Sequence, residues 1–206
     1  MWSRSAHAKK INPLLNETCR TITGTLRPTP TNLLYRLAGI APPNIRRLIT
    51  TMEEKNKQLS DQRHPLHPHV PVPSRLKSRQ SFATVEGLPP ETSPQNYRLN
   101  LWKESDTGTP LNNAVQEPRE ELPDGAHLSR AEWSVLNRAR SRVARTGDNM
   151  VKWRLKTTPS CECGELTQNI DHVLTSCPLC PNLVNADLVN INQRTLEWLS
   201  VWRDKL

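Results

Sequence analysis

Ten of this chain's 18 prolines fall between residues 61 and 125, and that clustering limits the possible folds more than any other feature. Proline lacks an amide hydrogen, and its ring collides with the preceding helical turn. Neither a long helix nor a central strand runs through such a stretch. Apolar periodicity is also weak there, which predicts an extended, irregular linker. Apolar residues make up only 35% of the 206, too few for one core along the whole length. The expectation is a mainly α protein in three consecutive parts: a small helical bundle over 1–60, a Pro-rich linker over 61–125 and a C-terminal module over 126–206.

Within the first part, residues 12–23 predict a short helix starting near Pro13, with Leu14, Leu15, Cys19 and Ile22 on one side. The run TLRPTPT (25–31) breaks it. Thr31 can cap a second helix bearing Leu33, Leu34 and Leu37, which Gly39 ends. Pro42 and Pro43 suit the start of a third, over 43–59, with Ile45, Leu48, Ile49 and Met52 on one stripe. In the last part, Ser129 and Glu132 form an S-x-x-E capping box, and Leu128 and Trp133 have hydrophobic-staple spacing. That helix is expected to reach about Arg145, with Gly147 as its stop and Trp133, Leu136, Ala139 and Val143 on its inner face. A closing helix over 183–203 is expected to bury Val184, Leu188, Ile191, Leu199 and Trp202.

The net charge is +8, and it is uneven. Residues 1–60 carry ten Lys/Arg against three Asp/Glu, and residues 126–160 carry eight against two. Two basic blocks point either to an anionic partner, most simply RNA or DNA, or to solvated helix faces. Arg130, Arg138, Arg140, Arg142 and Arg145, with Lys152 and Arg154, are the candidate phosphate contacts, since a guanidinium can donate two bonds to one phosphate. Trp153 either stacks a base or packs inward. No small-molecule substrate is expected. The first 20 residues hold no apolar core stretch, and no run approaches about 18 apolar residues. Neither a signal peptide nor a membrane span is expected, which fits an intracellular protein of nucleus or cytoplasm.

The sharpest chemical signal is CECGELTQNIDHVLTSC (161–177), which spaces Cys161, Cys163, His172 and Cys177 as C-x-C-x8-H-x4-C. Three thiolates and one imidazole make a closed tetrahedral set for structural Zn²⁺. Gly164, directly after the second Cys, permits a tight turn, and the H-x4-C tail resembles a zinc knuckle. Cys180 could replace one ligand. His64, His67 and His69 in HPLHPH offer a second metal possibility, against plain exposed extended chain. Catalytic residues are not found. Two-metal nucleotidyl transfer needs paired carboxylates holding ions about 4 Å apart, and the only acid doublets are Glu53–Glu54 and Glu120–Glu121. Nor does the chain carry a Walker loop, G-x-S-x-G or H-E-x-x-H.

Several segments, in order, resemble one family. WSRSAH (2–7), TITGTLRPTPT (21–31) and LAGIAPPNIRR (37–47) resemble the region after the polymerase palm in jockey-type non-LTR retrotransposon reverse transcriptases. RLKSRQSF (75–82) and NLWK (100–103) resemble the connector that follows. LSRAEWSVLNRARSRVARTGDNMVKWRL (128–155) resembles the family's tryptophan- and arginine-rich helix, CECGELTQNIDHVLTSCPL (161–179) its Cys/His motif and EWLSVW (197–202) its closing helix. The resemblance implies that residues 1–60 are the tail of a polymerase, its helical thumb. It implies that residues 126–206 are a C-terminal domain holding RNA or DNA, with Cys161, Cys163, His172 and Cys177 on the metal-ligand positions. The family's Phe/Tyr-Ala-Asp-Asp active site and its endonuclease lie upstream of this region. The implied function is nucleic-acid binding without catalysis on this chain. The alternatives are one exon of a complete RNA-directed DNA polymerase, or a decayed or adopted scaffold protein.

Overall fold

The computed structural model describes residues 6–70, 84–106 and 114–206. Residues 2–5 and 75–82, which carry two of the resembling segments, lie wholly or mostly outside them. All regular structure among the described residues is helical. A 3-10 turn at Ala6–Ile11 leads into α1 (Asn12–Thr23), followed by α2 (Thr31–Ala38), α3 (Pro43–Ser60), α4 (Pro94–Ser105), α5 (Arg130–Arg140), α6 (Gly147–Lys152), α7 (Ile170–Thr175), α8 (Asn185–Val189) and α9 (Gln193–Trp202). None of these helices is long and apolar enough to cross a membrane.

The chain divides into two compact units, and not into three consecutive segments. One is Met1–Leu15 with Ala41–Thr107, the other Asn16–Ile40 with Gly108–Leu206. The expected 1–60 bundle is thus shared between two units. Residues 61–125 are not one irregular linker either. They contain α4, whose Trp102 is buried and which packs against α3. Pro94 opens that helix, where a missing amide hydrogen has no helical acceptor to lose. In the same unit Ile45, Ile49 and Met52 of α3 are buried as expected, while Leu48 is exposed.

The second unit explains why α2 and most of α1 leave the first. The last four carbonyls of a helix have no acceptor role inside it and must find donors elsewhere. At the end of α1 those donors come from α5. Arg130 donates to the carbonyls of Thr21 and Ile22, the Trp133 indole to Ile22 at 2.9 Å, Asn137 to Thr23 at 3.0 Å and Arg138 to Gly24 at 2.9 Å. The two segments come very close at Gly24, where a Cβ would lie 2.0 Å from Ser134 Oγ. The backbone there is left-handed, with φ +70°, so glycine is required twice over. In α2, Leu33 and Leu37 pack with Val115.

The core of this unit gathers Trp133, Leu136 and Ala139 of α5, Val173 and Leu174 of α7, Leu188 of α8, and Trp198, Leu199 and Trp202 of α9. The Ser129–Glu132 capping box is present. The helix it starts ends early, however, at Arg140 and not Arg145. Arg142 takes φ +58°, the Val143 amide bonds Arg138 O at 3.1 Å and the Arg142 amide bonds Ala139 O at 3.1 Å. This is a Schellman ending with arginine where glycine is usual. Side-chain bonds from Arg142 to Asp171 (2.6 Å) and Asn185 (3.0 Å) offset the backbone strain. Gly147, expected as the stop, opens α6. The closing helix is likewise two helices. Asn192 caps α9 by accepting from the Thr195 amide, and Val184, expected inside, is exposed.

Candidate metal centre

The ligand candidates come from two local structures. Cys161 and Cys163 sit on a reverse turn closed by Gly164 N to Cys161 O (3.1 Å) and Cys161 N to Glu165 O (2.9 Å). Gly164 has φ +97°, the left-handed conformation that lets the chain double back after two cysteines one residue apart. His172 lies in α7, whose first turn is capped by Asn169 accepting the His172 amide at 2.8 Å. Cys177 follows, its amide bonded to His172 O at 2.9 Å. The turn and the helix end bring the four ligand atoms within 4.8 Å of one another. Cys161 Sγ lies 4.0 Å from Cys177 Sγ, and Cys163 Sγ lies 3.3 Å from His172 Nε2.

The surroundings prepare these groups for a cation. Cys161, His172 and Cys177 are buried and Cys163 partly so. His172 Nδ1 meets Ser176 Oγ at 3.2 Å. A proton held there leaves Nε2 as the lone-pair nitrogen that faces the sulfurs. Burial pushes the Cys161 thiol up. The Cys163 amide, the Gln168 side chain, His172 and the Cys163 side chain outweigh it and hold Cys161 down at about 6. Burial pushes Cys177 up to about 12, and the negative sulfur of Cys161 adds to it. The two sulfurs are thus pushed in opposite directions, Cys161 toward the thiolate and Cys177 toward the thiol. Three sulfurs and an imidazole suit a borderline or soft divalent metal, not the oxygen-seeking Mg²⁺ or Ca²⁺.

Cys180 is not in this group. Its sulfur accepts from the Trp202 indole at 3.1 Å and points to Val173 O at 3.7 Å, and burial raises its thiol. The three Pro-interleaved histidines gather no metal group either. They lie in consecutive turns, with His64 bonded to Glu54 at 3.3 Å and His67 to Gln58 O at 3.0 Å.

No family model matches this chain, and neither any curated protein nor any solved structure matches it.

The candidate phosphate contacts separate into two sets. Arg140 is only 1% exposed. It donates to Leu188 O and Asp124 O, both at 2.7 Å, and to Asn137 Oδ1 at 3.2 Å, and it lies 5.8 Å over the Trp133 ring. Burial lowers its pKa to about 10, still well above neutral. A cation so enclosed has no face for a phosphate, which removes Arg140 from the candidate set. Arg130, itself exposed, and half-buried Arg138 donate to carbonyls of α1 and its exit, and Arg138 also to Leu206 O at 2.8 Å. Arg142 is bonded to Asp171 and Asn185. Lys152 is exposed but pairs with Asp148 at 3.0 Å. Arg145 and Arg154 are exposed, as is Lys156, and none of the three has an ion pair or side-chain hydrogen bond among the described residues. Trp153 is half-buried.

Sequence reading missed Gln168, Asn169 and Ser176. The cap was legible as an Asn just before an apolar run. Gln168 gave no signal, because its partners Cys161, Pro159 and Gly147 follow no helical or turn spacing from it.

Proposed function

We propose that this chain is a nucleic-acid-binding module built around a structural Zn²⁺, corresponding to the C-terminal region of a jockey-type non-LTR retrotransposon reverse transcriptase. The observation that carries the reading is the convergence of Cys161, Cys163, His172 and Cys177. Bonds of about 2.3 Å to sulfur and about 2.0 Å to nitrogen place tetrahedral neighbours roughly 3.5–3.8 Å apart. The 4.0 Å and 3.3 Å separations need only small adjustments to meet that shape. A site with four protein ligands has no open position, so the metal staples the fold and performs no reaction.

The nucleic-acid part rests on the positive charge of 126–160 and on cations left uncommitted there: Arg145, Arg154 and Lys156. The test is fluorescence anisotropy of labelled single-stranded RNA and DNA across a salt series. Each phosphate contact releases bound cations, so replacing the three residues with Gln should flatten the log–log slope by roughly two to three units. The same change at Arg140 should leave the slope alone. A protein scaffold is the second reading, favoured by the engagement of Arg130, Arg138, Arg140 and Arg142 inside the unit. Wild-type protein that takes up Zn²⁺ and binds neither polymer at low salt would decide for it.

A further inference from the structure

Gln168 closes a loop. Its backbone amide donates to Pro159 O at 2.7 Å, and its backbone carbonyl accepts from the Asp148 amide at 3.1 Å. Its side-chain Oε1 accepts from the Gly147 amide at 2.9 Å, and its Nε2 donates to Cys161 Sγ at 3.4 Å. One buried residue therefore pins both ends of the 147–159 segment and touches a metal-ligand sulfur. The orientation of the side-chain amide is fixed by its partners: turned over, an NH₂ would face the Gly147 N–H and the bond to Cys161 Sγ would be lost. The approach is close. A Cβ on Gly147 would lie 2.4 Å from Pro159 O and 3.2 Å from Gln168 Cβ.

The pinned segment carries Lys152, Trp153, Arg154 and Lys156, and its outer stretch from Arg154 to Thr158 is exposed. We infer that Gln168 is a positioning residue that couples the metal to this cationic loop, so that metal loading sets the loop geometry and with it nucleic-acid affinity. The physical link is the Nε2–sulfur bond. A metal-bound thiolate is a fixed acceptor; with it, Gln168 is held, and Oε1 and the backbone groups of Gln168 hold Gly147, Asp148 and Pro159. Without it the side chain loses one of its two anchors, and only the Gly147 amide still holds Oε1. Donors to a ligand sulfur also steady the metal itself.

The coupling presupposes the metal of the proposed function, and the experiment separates the two. Gln168→Met keeps the length and removes both side-chain bonds; Gln168→Asn stays polar but withdraws from both, and replaces it if the Met variant does not fold. Zn²⁺ affinity is measured on the full chain by competition with a chromophoric chelator. Amide hydrogen exchange is followed in the Zn²⁺-loaded proteins, with Leu199 of the core as reference. The expected result is a loss of Zn²⁺ affinity of about 10–100-fold. Exchange at Gly147 and Asp148 should speed up by at least about tenfold, with Leu199 unchanged. Affinity for a single-stranded oligonucleotide should fall several-fold with the salt slope kept, because no cation is lost. Wild type that takes up no Zn²⁺ overturns the metal reading and the coupling together. Wild type that binds Zn²⁺ while the variants keep its affinity and the slow exchange at Gly147 overturns the coupling alone.

Discussion

Replacing Arg140 with Met tests whether the arginine row is architecture or binding surface. The guanidinium satisfies the buried main-chain carbonyl of Leu188, the carbonyl of Asp124 and the Asn137 side chain. Leaving one buried acceptor unmet costs about 1–3 kcal/mol, and the contact over Trp133 adds about 0.5–2 kcal/mol. Against this, Met returns apolar burial and removes the cost of keeping a cation out of water. The net expectation is a loss of about 2–4 kcal/mol. At roughly 4 °C per kcal/mol for a unit of this size, the melting temperature should fall by about 8–16 °C. Arg140→Lys should lose nearly as much, because an ammonium on a flexible stem cannot reach three acceptors in the directions of a planar fork. The assay is urea and thermal unfolding of Zn²⁺-loaded protein, followed by circular dichroism and tryptophan fluorescence. A change below about 1 kcal/mol would refute the structural role. So would an unchanged stability together with a flattened salt slope for nucleic acid.

Other outcomes are as specific. Purified protein should carry about one equivalent of Zn²⁺ and give tetrahedral charge-transfer bands with Co²⁺. The Cys163→Ser, His172→Ala double variant should lose it, while Cys180→Ser should keep it. Gly24→Ala should destabilise by roughly 2 kcal/mol or more in the same unfolding assay, since a left-handed φ and the Ser134 clash add. The Val184 amide and then Asn192 hold the Asp187 carboxyl below its ordinary range. Its folded-state pKa is the lower one, so its stabilisation is present above the ordinary value and lost as pH falls through the folded value. Asp187→Asn should therefore flatten the acid limb of stability against pH. Primer extension with Mg²⁺ or Mn²⁺ should show nothing above buffer, and an activity lost in a point variant would reverse that.

What the sequence determined by itself was local. The helices over 12–23, from Thr31 to Gly39 and over 43–59, the Ser129–Glu132 cap and the grouping of Cys161, Cys163, His172 and Cys177 depend on residues within one turn or one short spacing. Such signals survive without knowledge of the rest of the chain. The tertiary structure decided everything that joins distant segments. Arg138, Asn137 and Trp133 read as a basic helix with an apolar face, yet they cap a helix end more than a hundred residues earlier. Helix α5 stops at Arg140 because Arg142 is held in a left-handed turn by Asp171 and Asn185, partners that no local pattern reveals. The Pro-rich stretch hid α4, whose one buried anchor, Trp102, becomes a core residue only against α3. An unmet carbonyl takes any donor that packing brings near. Which donor that is depends on how the whole chain closes, and periodicity does not carry that information.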